Sequence, residues 1–335
     1  MRLVEEGRTL EAATVRLWPG ADRRSCCSPG ALQRAAGTAT ALGLPFHLVD
    51  GAEEFTAAVV EPFVAAYLAG ETPNPCVACN PGRLAALVRL ADDLGLERVA
   101  TGHYARLVWR DGEPYVARGR DRGKDQSYML WAVPPEVLAR LEFPLGETTK
   151  AEARAAAAAA GLAVADEPES QEVCFAVDGY QAFLERHGVR PRPGSIVDSV
   201  GRVLGEHAGQ WRFTIGQRRG LGVSAHEPLH VLERRAEDNV VVVGGRSELE
   251  VCRVPLRGLS DRGLGGGEGL EVQLRYRSPA VPVASLERNG AGAAVVTLAG
   301  PFAGLAPGQS AVFYRGDVVV GGGVIDGLGS VRGGV

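Results

Sequence analysis

Long apolar runs are missing from this chain, and so is a positively charged leader followed by an apolar stretch. The first lack excludes a membrane-spanning helix and the second a secretory signal. Cysteine is sparse and irregularly spaced, six in 335 residues. A disulfide-stapled scaffold is thereby excluded, and a reducing, cytoplasmic setting is expected. An excess of positive charge is lacking too: 36 Lys and Arg stand against 40 Asp and Glu, for a formal net charge of -4. That excludes a globally basic nucleic-acid binder but leaves room for a local basic surface. Lysine is scarce where alanine, glycine and arginine abound, which reflects genome composition more than mechanism. No internal repeat and no long linker interrupts the chain, whose length allows two or three domains with self-supporting cores.

What the chain does carry is a thiol motif. Residues 72–80 read TPNPCVACN, and about a hundred residues on a single further cysteine lies in EVCFA, residues 172–176. Pro73 and Pro75 push their preceding residues away from helical geometry, so the spacing predicts two thiols presented from a stiff loop. A Cys-x-x-Cys pair serves as half a zinc site, as a redox dithiol, or as a nucleophile with a helper. Zinc needs two further ligands; Cys174 and His103 are the available ones, and no second Cys-x-x-Cys or Cys-x-x-His exists. A thioredoxin-like pair would open a helix straight after a strand, whereas a helical stretch at 61–69 precedes this one. Two buried, inert thiols fit poorly among prolines and asparagines. The residues favour a reactive thiol near a second one from a distant segment. Cys174, between Val173 and Phe175, reads on its own as a buried hydrophobe.

Periodicity predicts a strand at 11–18, a helix at 29–42, a strand at 45–49, helices at 55–69 and 82–94, and a short strand at 98–101. Strands separated by helices of this length indicate an α/β domain with a parallel sheet covered on both faces. Thr101, Gly102 and His103 end the last of those strands, where ligands bind in such sheets. Asp111-Gly112 marks a hairpin. Asp125 is placed to cap a helix opening at Tyr128, leaving Lys124 and Gln126 free. Beyond Gly188 the texture becomes short strands and glycine-rich turns. From 248 onward about six strand-like segments predict an antiparallel barrel. Arg218 and Arg219 form a compact positive spot among glycines, suited to a nucleic-acid backbone. Arg275-Tyr276-Arg277 sets a ring between two cations, suited to RNA stacking. Gln309 reads as a turn residue after Pro307-Gly308.

Together TPNPCVACN, ATGHYAR (100–106), KDQSYML (124–130), EVCFA and FTIGQRRGLGV (213–223) resemble, in order, the blocks of the bacterial tRNA-specific 2-thiouridylase family. The resemblance implies an adenine-nucleotide alpha-hydrolase-like (PP-loop ATPase) domain at 1–188, a small β-rich domain at 189–247 and a C-terminal β-barrel at 248–335. It further implies ATP, with magnesium, as co-substrate, and no stably bound cofactor or metal. The partners it implies are tRNA, at the wobble uridine of its anticodon loop, and an upstream persulfide donor; a monomer and no membrane are expected. It makes Cys79 the nucleophile and Cys174 the persulfide carrier, joined transiently as a disulfide, and puts Val15 and Gly102 in the nucleotide pocket. Asn74, Pro75 and Cys76 then frame the base, with Cys76 where some members carry an aspartate. His103, Lys124, Asp125, Gln126, Arg218, Arg219, Arg275, Tyr276 and Gln309 fall on the tRNA side. The family's Ser-Gly-Gly-Val-Asp-Ser-Ser phosphate loop has no counterpart here, and the chain opens at about the end of the helix that would follow it. The completeness of the other blocks favours a start codon set too far downstream. The competing expectations are a tRNA-binding remnant without catalysis and a sulfur carrier that does not act on RNA.

Overall fold

The computed structural model describes residues 2–18, 28–162, 173–265, 267–290 and 292–327. Cys26, Cys27 and the acidic loop at 166–172 lie outside them. The chain divides into two compact units: Met1–Glu61 with Pro75–Phe183, and Pro62–Asn74 with Leu184–Val335. Among the described residues no helix is long and apolar enough to cross a membrane.

The first unit opens with α1 (Arg2–Glu5) and β1 (Ala12–Arg16), followed by α2 (Pro29–Ala41) and β2 (Phe46–Asp50). Ser28 caps α2 through its Oγ, which accepts from Ala31 N at 3.2 Å, and Pro29 takes the first helical position. α3 (Ala52–Phe55) runs through a π-helical turn (Thr56–Val60) into α4 (Glu61–Leu68), which after Glu61 belongs to the second unit. α5 (Pro75–Asp93) leads to β3 (Val99–Ala100), and a hairpin of β4 (Ala105–Arg110) and β5 (Glu113–Arg118) turns at Asp111-Gly112 as predicted. A 3-10 turn at Ser127–Leu130, α6 (Pro135–Leu138), β6 (Leu141–Glu142), α7 (Lys150–Ala159) and the start of α8 (Tyr180–Arg186) complete the unit.

β1 pairs with β2 and β3 with β6, both in parallel. The expected parallel sheet is thus present as two separate pairs, and β6, two residues long, carries no periodic signal from which it could be foreseen. Thr149 and Glu152 form a capping box at the start of the alanine-rich α7. The buried core draws on Val15, Phe55, Val59, Leu84, Tyr128 and Leu138.

In the second unit β7 (Gly194–Asp198), β8 (Val203–His207), β9 (His230–Arg235) and β10 (Val240–Gly244) form a sheet of order β8-β7-β10-β9. Its inner side chains, Ile196, Val231, Val241 and Val243, are fully buried. Six further strands follow: β11 (Glu250–Asp261), β12 (Glu271–Gln273), β13 (Val281–Arg288), β14 (Ala294–Ala303), β15 (Ser310–Arg315) and β16 (Val318–Ile325). They run β11-β14-β13-β12-β15-β16, and β11 pairs back onto β16, closing an antiparallel barrel. Closure removes the edge that an open sheet would expose. The barrel matches the six strands expected. Residues 275–277 form a turn after β12 in which Arg277 has φ 64°.

Candidate active site

The thiol pair is not on a loop. α5 begins at Pro75, so Cys76 and Cys79 stand in its first turns, three residues apart on neighbouring positions of one face. Proline is a helix breaker only in the interior; at the first position its missing N–H costs nothing and its φ is already helical. α5 is held down by Val77, Asn80, Leu84 and Ala91, its buried stripe. The side chain of Asn80, 4% exposed, donates from Nδ2 to Met129 O at 2.8 Å.

One helical turn beyond Cys79 lies Arg83. Its Nη2 donates to Asn80 Oδ1 at 2.8 Å and to His103 Nε2 at 3.2 Å. Arginine has no acceptor, so His103 Nε2 must be unprotonated. Its proton is then on Nδ1, donated to Thr101 Oγ1 at 2.8 Å. Burial, and then the Arg83 charge, lower the His103 pKa to about 3, so the ring is neutral near pH 7. Cys76 reaches solvent, yet the surrounding protein pushes its thiol pKa up by desolvation while Arg83 pulls it down. Arg83 therefore connects the thiol helix to the end of β3, and the sequence reading missed it. The available signal was its spacing, four residues after Cys79.

Cys79, half-buried, lines a cavity of about 320 Å³ together with Val15, Gly51, Phe55 and Arg83. Phe55 packs edge-on against Phe175 at 5.6 Å between ring centroids. Phe175 also meets Phe183 at 4.8 Å and Trp18 at 6.2 Å. Cys174, half-buried, directly precedes this aromatic cluster. Gly102 lies elsewhere, on a larger cavity of about 660 Å³ walled by Leu10 just before β1, Ala13 within it, Leu87 and Leu90 of α5, and Leu145. Val15 and Cys79 are thus brought together, and Gly102 is not with them.

The other expected residues are dispersed. Asp125 accepts from Gly119 N at 2.9 Å, Ser127 N at 3.1 Å and Ser127 Oγ at 2.8 Å, pinning the 3-10 turn that replaces the expected helix. Gln126 is bound to Tyr104 at both ends: its N donates to Tyr104 O at 3.0 Å and its Oε1 accepts from Tyr104 N at 2.9 Å. Lys124 N donates to Asp121 O at 3.0 Å. In the second unit Arg218 and Arg219 are exposed. Arg275 donates to Gly304 O, and Arg277 stacks 5.3 Å from the Tyr276 ring. Gln309 Nε2 donates to Thr72 O, and Asn74 ends the segment that carries Thr72.

Among the described residues no group of three or more His, Cys, Asp or Glu is arranged to hold a metal ion. Both cavities suit a base-sized apolar group. Neither is lined by a Ser- or Gly-rich turn with successive amides to cradle phosphates, so the described residues fit a nucleoside better than a triphosphate.

Comparison with known proteins is consistent along the whole chain. Residues 1–178 match the family described as tRNA methyl transferase HUP domain, residues 181–245 its PRC-barrel domain, and residues 261–325 the aminomethyltransferase beta-barrel domain. Such an assembly, with two cysteines in the first turns of a helix of its α/β part, defines a tRNA-modifying class of protein. The chain is 40% identical over 338 residues to the tRNA-specific 2-thiouridylase MnmA of Carboxydothermus hydrogenoformans, covering 97% of this chain and 92% of that one. It is 44% identical over 338 residues to the tRNA-specific 2-thiouridylase MnmA of Sorangium cellulosum, covering 97% and 87%. To the bifunctional protein NifU/MnmA of Rubrobacter xylanophilus it is 51% identical over 328 residues, 96% of this chain but 66% of that longer one. The chain belongs to the tRNA-specific 2-thiouridylase family.

Proposed function

We propose that the protein is an ATP-dependent tRNA-uridine 2-sulfurtransferase that replaces the C2 oxygen of the wobble uridine with sulfur. One observation carries this reading: Cys79 lines a cavity with Arg83 and Phe55, and Phe55 packs on the residue that follows Cys174. Two thiol-bearing segments, remote in sequence, thereby share one aromatic wall. ATP supplies activation of the C2 oxygen, a poor leaving group, by adenylation, with magnesium as its counterion.

The chain's own chemistry is sulfur handling. The terminal sulfur of a Cys174 persulfide forms the bond to C2 as the activated oxygen departs with AMP, giving a Cys174-S-S-C2 linkage. The Cys79 thiolate then attacks Cys174 Sγ, breaking the S–S bond so that sulfur stays on C2 as the thiocarbonyl. A Cys79–Cys174 disulfide remains, which an external thiol reductant reopens. An upstream persulfide donor reloads Cys174. Release of hydrosulfide by Cys79 is the variant route. Neutral His103 fixes the Arg83 guanidinium, whose charge favours thiolate over thiol nearby. Cys76, its pKa raised by burial, stays protonated and frames the base with Asn74 and Pro75 rather than attacking it. Val15 and Gly102 contribute to nucleotide binding. Lys124, Asp125, Gln126, Arg218, Arg219, Arg275 and Tyr276 belong to the tRNA surface, the uridine leaving its stack at low cost in an anticodon loop.

The test is a thiolation assay with unmodified tRNA, ATP, magnesium and a persulfide source, read as 2-thiouridine by nucleoside mass spectrometry. It is run on this chain and on the product of the nearest upstream in-frame start. Thiolation that is lost in Cys79→Ser and in Cys174→Ser is expected. Tight tRNA binding by both products with no thiolation by either would replace the enzyme with an RNA-binding protein.

A further inference from the structure

A cation of α5 is held in place without being neutralised. Arg83 follows Cys79 by four positions and Cys76 by seven, so the three side chains stand along one stripe of the helix. Of the five N–H groups of a guanidinium, two are spent, both from Nη2, on Asn80 Oδ1 and His103 Nε2. Both acceptors are neutral: Asn80 is an amide, and His103 is an imidazole unprotonated at Nε2 and anchored through Nδ1 to Thr101 Oγ1 at 2.8 Å. Among the described residues no carboxylate pairs with Arg83, whereas Arg16, Arg118 and Arg140 of the same unit each have one. Half-buried and fixed from one side, the guanidinium keeps Nη1 and Nε unspent. A charge so placed is costly unless an anion completes it.

The cavity shows where that anion would lie. Arg83 lines the chamber of about 320 Å³ with Cys79, against an apolar wall of Val15, Leu17, Phe55 and Val59. The acids on this chamber leave the arginine free. Asp50 is paired with Arg16, and Glu54 pairs with neither Arg83 nor Arg89 among the described residues. Asp93 lies ten residues along α5 from Arg83, roughly 15 Å away, with Arg89 between them. A base-sized apolar chamber with one fixed guanidinium at its thiol end fits a nucleoside carrying a single phosphate.

We infer that Arg83 is a phosphate-binding residue: it holds the phosphate of an adenylate in the Cys79 cavity, with Asn80 and His103 as the residues that position it. The inference deepens the sulfur-transfer reading and rests on it for the catalytic consequence. In that reading the bond from C2 to its activated oxygen breaks as the persulfide sulfur bonds to C2. The electron pair departs on the phosphate oxygen of AMP, and Arg83 faces the charge that forms there. Departure of AMP then returns the guanidinium to the Cys79 thiolate.

The experiment uses the full chain as wild type, as Arg83→Met, which keeps the stem and removes the charge, and as Arg83→Lys, which keeps the charge. Alkylation of Cys79 is timed peptide by peptide with iodoacetate, an anion, and with iodoacetamide, its neutral counterpart, and the exposed Cys252 serves as reference. The ratio of the two rates cancels the thiolate fraction and any loosening of α5, since both change the two rates alike. Relative to Cys252, the iodoacetate preference of Cys79 should fall about tenfold in Arg83→Met, the factor of one charge-assisted hydrogen bond, and stay within about threefold of wild type in Arg83→Lys. AMP should protect wild-type Cys79 at concentrations about tenfold below those that adenosine needs, a gap that closes in Arg83→Met. In the thiolation assay Arg83→Met should lower kcat by about 10²-fold and leave KM for tRNA near wild type. A preference for iodoacetate that does not depend on Arg83 overturns the inference. So does an Arg83-dependent preference with AMP no better than adenosine, because the anion held is then not the phosphate of an adenylate. Arg83-dependent protection by AMP in a chain that never thiolates tRNA leaves the phosphate site standing and removes the sulfur-transfer reading.

Discussion

Acid should loosen the first unit through His103, and the size of the effect can be worked out. Buried at 8% exposure and beside the Arg83 guanidinium, the folded ring has its pKa lowered to about 3. An unfolded histidine titrates near 6.5. Between those values the unfolded chain holds a proton that the folded ring refuses. The contribution is therefore fully present above about pH 6.5 and is lost as pH falls toward 3. The slope is about 1.4 kcal/mol per pH unit, so passing from pH 6 to pH 4 costs about 2.5 kcal/mol from this residue alone. His103→Gln isolates it: the amide oxygen can accept from Arg83, the amide nitrogen can donate to Thr101, and nothing titrates. Carboxylates with lowered pKa, such as Glu142 beside Arg8, also lose stability in acid. They do so equally in both proteins and cancel in the difference. Native-state hydrogen exchange of peptides from α5, corrected for the intrinsic effect of pH, gives the local opening free energy. The wild type should lose about 2.5 kcal/mol more than His103→Gln over that interval. Equal losses would show that the ring is not held neutral, and the tautomer assigned from Arg83 would fall with it.

Three further outcomes can be measured. Asn80→Ala removes the donor to Met129 O and the acceptor for Arg83, leaving buried groups without partners, and should cost about 1–3 kcal/mol in denaturant unfolding. Arg218→Ala with Arg219→Ala, both exposed on a loop, should weaken tRNA binding uniformly across sequences, leave unfolding unchanged, and reduce the slope of log affinity against log salt by about 1 to 2. Thr149→Ala breaks the capping box of α7 and should destabilise that helix by about 1 kcal/mol, read by hydrogen exchange at residues 150–159, without altering Cys79 alkylation.

What the sequence made legible was set by how local each signal is. The barrel could be read because antiparallel strands announce themselves by alternation and by turn pairs such as Asn289-Gly290 and Pro307-Gly308. The α/β character could be read from helices and strands in alternation, but β6, two residues long, falls below any period. The thiol motif was visible and its setting was misread. Pro73, Asn74 and Pro75 look like loop when read one residue at a time, whereas Pro75 is the first residue of a helix, the one helical site where proline is favoured. The difference carries chemistry. On a loop the two cysteines imply nothing about residue 83, whereas on a helix Arg83 must lie one turn below Cys79, on the same face.

The residues least legible are polar ones whose partners are remote. Arg234 and Gln210 sit in sequence among Arg, Glu and Gly neighbours that read as surface, and their partners at 67–72 lie more than a hundred positions away. No periodicity predicts that pairing, because a buried arginine and a solvated one look alike in a linear pattern. A substitution at Gln210, which composition would class as innocuous, should for that reason destabilise the second unit, Gln210→Ala by about 1–3 kcal/mol in denaturant unfolding.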